Sequence, residues 1–226
     1  MSVSGVNGAC ENTSVGSDAA MRFFNQHGNF DLLFSDPPWG SSNLRYFKQK
    51  AIERSEEAVD KQVTEKELAL RFSEIFEKFI DHSSFILIGK KYSDRFARYM
   101  EPYATDVKVV PVHFWLLDKH EQKKDLSKAK VAHLVCATKK GKFPNGFAEG
   151  FNGLTGYERV ERGCNYVKGH KMVDPCAGFG RYLAVGMAQQ YKVYGVEICP
   201  TRMRELTKRI KGEYNQNTMS EYEKRC

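Results

Sequence analysis

The stretch Lys171-Met172-Val173-Asp174-Pro175-Cys176-Ala177-Gly178-Phe179-Gly180 decides the fold of this chain. It begins with a short apolar run that predicts a strand, passes through an acidic residue and a glycine-rich turn, and ends where Arg181 starts a predicted helix. Gly178 and Gly180 allow the backbone to approach a ligand without a Cβ clash. The start of the helix offers backbone N–H groups that have no partner within the helix. The stretch therefore has the elements of a ligand-binding turn.

A second acidic residue strengthens this interpretation. Glu197 lies at the end of the next predicted strand, 192–198, where its carboxylate can accept both hydroxyls of a ribose. The glycines lack the spacing of the dinucleotide fingerprint because position 183 is Leu, and no Lys-Ser or Lys-Thr pair follows as in a phosphate-binding loop. An ordinary tight turn is the alternative. Asp174-Pro175 and Glu197 together favour a site for a nucleoside cofactor.

A second motif, Asp36-Pro37-Pro38-Trp39, follows the apolar run 31–35, which predicts a buried strand. The two prolines remove two backbone N–H donors and fix φ. The Asp36 carboxylate and the Pro37 carbonyl could then accept both N–H bonds of a planar amino group, while Trp39 could stack on the flat face of a base. A turn with a packed tryptophan is the alternative.

Strands alternate with helices along the chain, which predicts an α/β fold with a mostly parallel sheet and helices on both faces. No helical pattern joins the predicted strands 107–117 and 132–138, so we expect these two to form an antiparallel pair. Ligands of such folds bind beyond the carboxyl ends of the strands. Both motifs lie at predicted strand ends, so they are expected to share one cleft.

We expect one domain, residues 13–212, that begins with a strand at 13–15. Residues 1–12 are small and polar and predict a flexible tail, and residues 213–226 predict a second polar tail. Two polar stretches, about 40–62 and 118–130, are predicted to be target-binding loops.

The composition narrows the class of protein. The net charge of +7 favours a polyanionic partner. No run of about 18 apolar residues predicts a transmembrane helix, and the N-terminus does not resemble a signal peptide. The six cysteines include no C-x-x-C pair, so we expect neither a zinc site nor any other metal. Reduced thiols fit a cytoplasmic protein, or a nuclear one in a eukaryote.

The two motifs resemble those of S-adenosylmethionine-dependent amino methyltransferases, which act on N6 of adenine or N4 of cytosine. Asp36 to Trp39 looks like their catalytic tetrapeptide. Asp174 to Gly180, with Glu197 after it, is similar to their cofactor motif D-P-F-x-G-x-G, although Cys176 stands where Phe is usual. The resemblance implies a Rossmann-like class I methyltransferase fold and S-adenosyl-L-methionine as cofactor. It also implies a set of cofactor-binding residues: Asp18, Asp36, Asp174, Pro175, Cys176, Ala177, Gly178, Gly180, Glu197 and Ile198.

The order of the motifs also resembles one branch of this family. The catalytic motif precedes the cofactor motif, as in the circularly permuted β-group. Chains of that group often begin with a strand and a turn whose acidic residue recognises the cofactor adenine. Gly16-Ser17-Asp18 stands at the matching place, which implies that role for Asp18.

The resemblance implies direct transfer of a methyl group to an exocyclic amine, with DNA favoured over RNA as the substrate. The aspartate in first position leans towards adenine N6 in this family. Methylation of RNA, methylation of cytosine N4, methylation of a protein glutamine or a small aromatic amine, and a non-catalytic nucleic-acid-binding subunit are the alternatives. Phosphate contacts are expected from basic residues of the two polar loops: Arg45, Lys48, Lys50, Lys123, Lys124 and Lys128. No separate target-recognition domain stands out, which indicates short sequence specificity, a homodimer or partner subunit, or a structured RNA target.

Overall fold

The structure, a computed structural model, describes residues 2–5, 7–38, 64–114, 130–147 and 149–212. Their strands form one sheet of eight, in the order β1-β2-β8-β7-β3-β4-β6-β5. The strands are β1 (Ser2–Gly5), β2 (Gly8–Asn12), β3 (Phe30–Ser35), β4 (Ile80–Gly89), β5 (Asp106–Phe114), β6 (Lys130–Thr138), β7 (Lys171–Asp174) and β8 (Lys192–Glu197). The central strands β2, β8, β7, β3 and β4 run parallel, whereas β1 pairs antiparallel with β2, and β6 pairs antiparallel with both β4 and β5. The predicted fold class and the predicted antiparallel pair are therefore confirmed.

Two layers of helices cover the sheet. The α-helices of the described ranges are α1 (Asp18–His27), α2 (Glu65–Phe79), α3 (Ser93–Met100), α4 (Gly156–Val167), α5 (Arg181–Ala188) and α6 (Pro200–Lys211). The apolar sides of α1, α2 and α3 share one buried cluster with one face of the sheet, and those of α4, α5 and α6 share another with the opposite face. None of these helices is both long and apolar enough to cross a bilayer.

Local sequence signals explain where several helices begin. Thr64 caps α2 and Thr155 caps α4, each in a reciprocal capping box with a glutamate three residues later. Pro200 occupies the first turn of α6, and Gly212 ends that helix with a left-handed backbone. These caps determine the residue at which each helix begins or ends.

The prediction for the N-terminal residues was wrong. Residues 2–5 and 8–12 form strands rather than a flexible tail, and β2 pairs in parallel with β8 from Gly8↔Val193 to Asn12↔Glu197. The stretch 13–15, predicted as the first strand, is a turn leading into α1. Small side chains such as Ala9 and Cys10 are buried here by close packing, so this strand lacks the bulky apolar pattern that identifies strands in a sequence.

The strand order reverses direction between β3 and β7. From β3 the chain passes to β4 on one side, and from β7 it passes to β8 on the other. The carboxyl ends of β3 and β7 therefore flank the crevice where parallel α/β sheets bind ligands. Asp36 directly follows β3 and Asp174 ends β7, so the fold brings both sequence motifs to this crevice.

Candidate active site

The glycine turn after β7 adopts a backbone that only glycine takes easily. Gly178 has φ +55° and Gly180 has φ +74°, both in the left-handed region. A Cβ on Gly180 would lie 2.6 Å from Cδ1 of Leu206, whereas a Cβ on Gly178 would meet no heavy atom of the described residues within 4 Å. The turn is thus closely packed where it starts α5 and has open space beside Gly178.

Glu197 holds this turn from the neighbouring strand. Its side chain is 6% exposed, and its two carboxylate oxygens accept hydrogen bonds from the backbone N–H groups of Gly178 (2.7 Å) and Cys199 (2.8 Å). Burial raises the pKa of Glu197, and these hydrogen bonds oppose the rise. A carboxylate offers about four lone-pair directions, so this one retains acceptor capacity for hydroxyl groups.

Asp174 joins the two motifs. Its Oδ1 accepts a 2.6 Å hydrogen bond from the hydroxyl of Ser35 and a 3.0 Å hydrogen bond from the N–H of Cys176. Burial raises the pKa of Asp174 to about 7, and the nearby Asp36 and Glu197 carboxylates add to this rise. The last residue of β3 and the last residue of β7 are thereby tied together at the base of the crevice.

Asp36 and its two prolines follow β3 at the edge of the sheet. The Asp36 side chain is exposed, Pro37 is buried and Pro38 is partly buried. Trp39 lies outside the described residues. Asp36 interacts electrostatically with Asp174 and Cys176. Burial keeps the pKa of the Cys176 thiol well above its usual value, and the carboxylates of Asp174 and Asp36 add to this rise. The crevice is therefore rich in negative charge.

A buried cation and a phenol interact with the acidic residues of the crevice. Arg159, in the first turn of α4, is 2% exposed, and its guanidinium donates to the backbone carbonyl of His113 in β5. Its Nε is buried without a hydrogen-bond partner among the described residues. Tyr182, in the first turn of α5, packs edge-on against Phe34 with ring centroids 5.3 Å apart. Both side chains interact electrostatically with Asp36.

Burial lowers the pKa of the Arg159 guanidinium, while Tyr182, Asp36 and Glu158 raise it again. Burial also raises the pKa of Tyr182 well above its usual value, to which Asp36 and Asp174 contribute. Tyr182 is therefore a neutral phenol at physiological pH and Arg159 is a cation that partly balances the acidic crevice.

Asp18 lies on the same edge of the sheet. Ser17 is the N-cap of α1 and accepts from the N–H of Ala20, and Asp18 is the exposed first residue of that helix. The preceding turn is tied to the cofactor motif, because the N–H of Thr13 donates to the carbonyl of Glu197 at 3.1 Å. The role of Asp18 towards an adenine stays a prediction.

Three residues of the site were not identified from the sequence. Ser35 directly precedes the D-P-P-W motif, and a polar residue at the end of an otherwise apolar run was its only signal. The Asn12 side chain donates to the carbonyls of Glu197 and Ile198, and it lies in the stretch that was wrongly predicted as a tail. Arg159 occupies an inward position of α4, directly before Val160, where a charge interrupts the apolar face.

Several predicted site residues lie outside the described part of the chain. They are Trp39 and all six proposed phosphate contacts, Arg45, Lys48, Lys50, Lys123, Lys124 and Lys128. Most of the two predicted target-binding loops falls outside it as well, and Lys130, the last residue of the second, begins β6. Within the ranges that the structure describes, no group of three or more His, Cys, Asp or Glu side chains could hold a metal ion.

Several solved structures have a similar fold. M1.HpyAVI superposes with a TM-score of 0.55 at 13% identity, over 89% of this chain and 97% of that one, and its complex with S-adenosylmethionine gives 0.57 at 11% identity, over 89% and 98%. The PvuII DNA methyltransferase, described as cytosine-N4-specific, gives 0.58 at 12% identity over 98% and 91%. TTHA0409 from Thermus thermophilus, a putative DNA modification methylase, gives 0.54 at 15% identity over 84% and 89%. No family model matches the sequence, and no curated protein matches it.

The chain therefore has the fold of class I methyltransferases. At these identities the likeness concerns the fold, and it extends over nearly the whole length of each compared chain. The resemblance seen in the two short motifs is thus matched by the arrangement of the sheet that carries them.

Proposed function

We propose that this protein is an S-adenosylmethionine-dependent methyltransferase that methylates N6 of adenine in DNA. The observation that carries the proposal is the 2.6 Å hydrogen bond from Ser35 to Asp174. This hydrogen bond connects the strand that leads into Asp36-Pro37-Pro38 to the strand that leads into the glycine turn. A methyl donor bound at the glycine turn and an amine bound at Asp36 would therefore meet in one crevice.

The residues of the glycine turn fit the proposed cofactor. Glu197 would accept the ribose hydroxyls, because its buried carboxylate is already oriented by Gly178 and Cys199 and keeps unused acceptor capacity. The open space beside Gly178 would admit the nucleoside close to the backbone. Asp18, Pro175, Ala177 and Ile198 would line the site, and Cys176 would replace the usual phenylalanine with a smaller apolar surface.

The charge of the crevice fits as well. Asp36, Asp174 and Glu197 form an acidic group, and S-adenosylmethionine carries a positive sulfonium and a positive ammonium. When bound, the cofactor would supply an electrophilic methyl group. The chain's own contribution would be to attract and orient this cation and to keep competing anions away.

The acceptor amine would be held by Asp36 and Pro37. The carboxylate of Asp36 and the carbonyl of Pro37 would accept the two N–H bonds of a planar amino group. Holding the amine in this way opposes conjugation of its lone pair with the ring and builds electron density for attack. Asp36 would also stabilise the positive charge that develops on nitrogen. Because Asp36 is exposed, a base flipped out of a duplex could reach it.

Two specific observations bear on the target base. The aspartate that opens the motif favours adenine N6, by resemblance to the family. The likeness to the PvuII enzyme, described as cytosine-N4-specific, supports cytosine N4 as the second candidate. DNA is favoured over RNA because two of the compared proteins are described as a DNA methyltransferase and a putative DNA modification methylase.

The proposal is tested by methyl transfer from labelled cofactor to duplex DNA, single-stranded DNA and RNA, followed by mass-spectrometric analysis of the nucleosides. We expect N6-methyladenine from DNA. The Asp36→Ala variant should lose transfer while it retains most cofactor affinity in calorimetry.

The outcomes separate the candidates. N4-methylcytosine would select the second candidate, and N6-methyladenine from RNA alone would replace DNA as the substrate. Cofactor binding without transfer to any nucleic acid would overturn the proposed substrate class. No cofactor binding at all would overturn the proposed enzyme and favour a non-catalytic subunit.

A further inference from the structure

A row of cations runs along one side of α3. Lys91, Arg95 and Arg98 are exposed and, together with the partly buried Tyr99, line a shallow depression of about 270 Å³. Arg95 and Arg98 are three residues apart on α3 and are therefore neighbours on one side of it, and Lys91 precedes the helix and lines the same depression. The opposite side of the helix is anchored in the core through Phe96 and Met100, which are fully buried.

The row keeps a net positive charge. Asp94 is the one acidic residue between Lys91 and Arg98, and within the described ranges none of the three cations lies within ion-pair distance of a carboxylate. By contrast, Arg71 and Lys78 of α2 are both paired with Glu74. Exposed cations in excess over the nearby carboxylate keep an attraction for an anion in solution.

The position of the row relative to the crevice follows from the sheet. β4 runs parallel to β3 with Ser35 paired to Ile86, so Gly89 ends β4 at the edge where Asp36 follows β3. Lys91 lies two residues beyond Gly89, and α3 then carries Arg95 and Arg98 away from that edge. The row therefore starts at the edge of the sheet where Asp36 lies and runs back from that edge along α3, which contacts β5 and β6.

The spacing of the row suits a nucleic-acid strand. Arg95 and Arg98 are three residues apart on α3, or about 4.5 Å along its axis at a helical rise of about 1.5 Å per residue, and Lys91 extends the row before the start of the helix. Phosphates of one duplex strand follow each other every 3.4 Å or so along the helix axis, so cations at this spacing can contact neighbouring phosphates of one strand. Tyr99 adds a phenol that can donate to a phosphate or pack against a sugar or base.

We propose that the Lys91–Arg95–Arg98 row binds the phosphodiester backbone of the nucleic-acid strand that presents its base to Asp36. This rests on the proposed function for the identity of the base, but the surface itself requires only a nucleic acid. It provides target binding from a rigid helix, in addition to the two loops expected from the sequence.

The test compares two variants of equal charge. In one, Lys91, Arg95 and Arg98 are all replaced by Gln. In the control, Lys140, Lys142 and Lys192 are replaced by Gln; these are exposed at the opposite edge of the sheet, and the length of β4 separates that edge by roughly 30 Å, at about 3.3 Å per residue, from the edge where Lys91 follows Gly89. Both variants lose three positive charges, so a general effect of net charge would be the same in both.

The measurement is fluorescence anisotropy with labelled 20-mers of duplex DNA, single-stranded DNA and RNA at several salt concentrations. Loss of three phosphate contacts should reduce the slope of log K against log salt by about 2.7 for duplex DNA and by about 2 for single strands. We expect that reduction, and roughly ten- to hundredfold weaker binding at moderate salt, for the α3 variant only. The probe with the largest change identifies the type of strand.

An unchanged slope in the α3 variant, or an equal reduction in the control, would overturn the proposed surface. So would the absence of nucleic-acid binding by the unmodified protein. The proposed function is tested separately. If the protein bound nucleic acid through the α3 row but transferred no methyl group, the proposed surface would stand and the proposed enzyme activity would be overturned. Circular dichroism of both variants checks that each remains folded.

Discussion

The hydroxyl of Ser35 donates to Oδ1 of Asp174 across the boundary between β3 and β7. Both residues are at most 2% exposed, and Asp174 receives a second hydrogen bond from the N–H of Cys176. This carboxyl group is therefore satisfied by hydrogen bonds but poorly solvated. Burial consequently outweighs the hydrogen bonds and raises the pKa of Asp174 to about 7.

This pKa predicts how stability depends on pH. The folded state holds a proton on Asp174 up to about pH 7, whereas the unfolded chain loses it near pH 4, so the Asp174 contribution to stability falls between these values as pH rises. Asp174→Asn keeps an acceptor for Ser35 and removes the charge. We expect it to raise the melting temperature by a few degrees at pH 8 and not at pH 4, since about 1 kcal/mol corresponds to about 2–4 °C in a domain of this size. Equal melting temperatures of the two proteins at pH 8 would contradict the prediction.

Cofactor binding should depend on the same proton. A cationic ligand favours the ionised form of Asp174, so affinity for S-adenosylmethionine is expected to increase as pH rises through about 7. Calorimetry from pH 6 to pH 8 should show a gain of up to about tenfold, equivalent to 1.4 kcal/mol or so. Asp174→Asn should flatten this dependence, and an unchanged pH profile in that variant would refute the link.

Removal of the Ser35 hydroxyl tests the tie between the motifs. Ser35→Ala leaves Asp174 with one hydrogen-bond donor fewer, which should cost about 1–3 kcal/mol at pH 8, where the carboxylate is charged. Ser73→Ala is a suitable control, because Ser73 is also buried but donates to the carbonyl of Leu70 within α2. Chemical denaturation and calorimetry should show weaker cofactor binding only for Ser35→Ala. If Ser73→Ala weakened it equally, the loss would reflect general destabilisation.

Arg159 and Arg162 offer a matched pair on α4. Each guanidinium donates to a backbone carbonyl, of His113 and of Phe147 respectively; Arg159 interacts electrostatically with Asp36, whereas Arg162 lies over the rings of Phe147 and Phe151. Replacement of either by Met should destabilise the fold by about 1–3 kcal/mol, because a carbonyl loses its donor. Only Arg159→Met should also reduce kcat of methyl transfer, by tenfold or more, with partial recovery in Arg159→Lys. Similar kcat values for both Met variants would show that Arg159 is purely structural.

The sequence predicted the parts of the fold whose signals are local. The capping box at Thr64, the buried run before Asp36 and the turn from Asp174 to Gly180 each specify one element, and the structure contains all three. The hairpin β1–β2 was missed because its stability comes from pairing with β8. At Gly8 the approach is so close that a Cβ would lie 1.7 Å from the carbonyl oxygen of Val193. Such contacts depend on residues far along the chain and leave no periodic pattern in the strand itself.

The residues of the candidate site also fall into those with local sequence signals and those defined by distant contacts. Glycines and strand-end carboxylates have recognisable spacing, so Gly178 and Glu197 could be identified in advance. Ser35 and Arg159 act through partners that are distant in sequence, Asp174 and His113, and only the folded arrangement brings them together.

Gly178 gives the sharpest test of where the cofactor binds. Gly178 and Gly141 both have left-handed backbones, with φ of +55° and +76°, and in the described part of the chain a Cβ at either position would meet no heavy atom within 4 Å. Replacement of each by Ala should therefore cost a similar free energy of unfolding, about 1 kcal/mol, from backbone strain alone. The space beside Gly178 is where the nucleoside would approach the turn, so Gly178→Ala should weaken cofactor binding at least tenfold while Gly141→Ala leaves it unchanged. Thermal unfolding measures the shared strain and calorimetry measures the difference in affinity. Equal affinities in the two variants would mean that the cofactor does not bind against this turn.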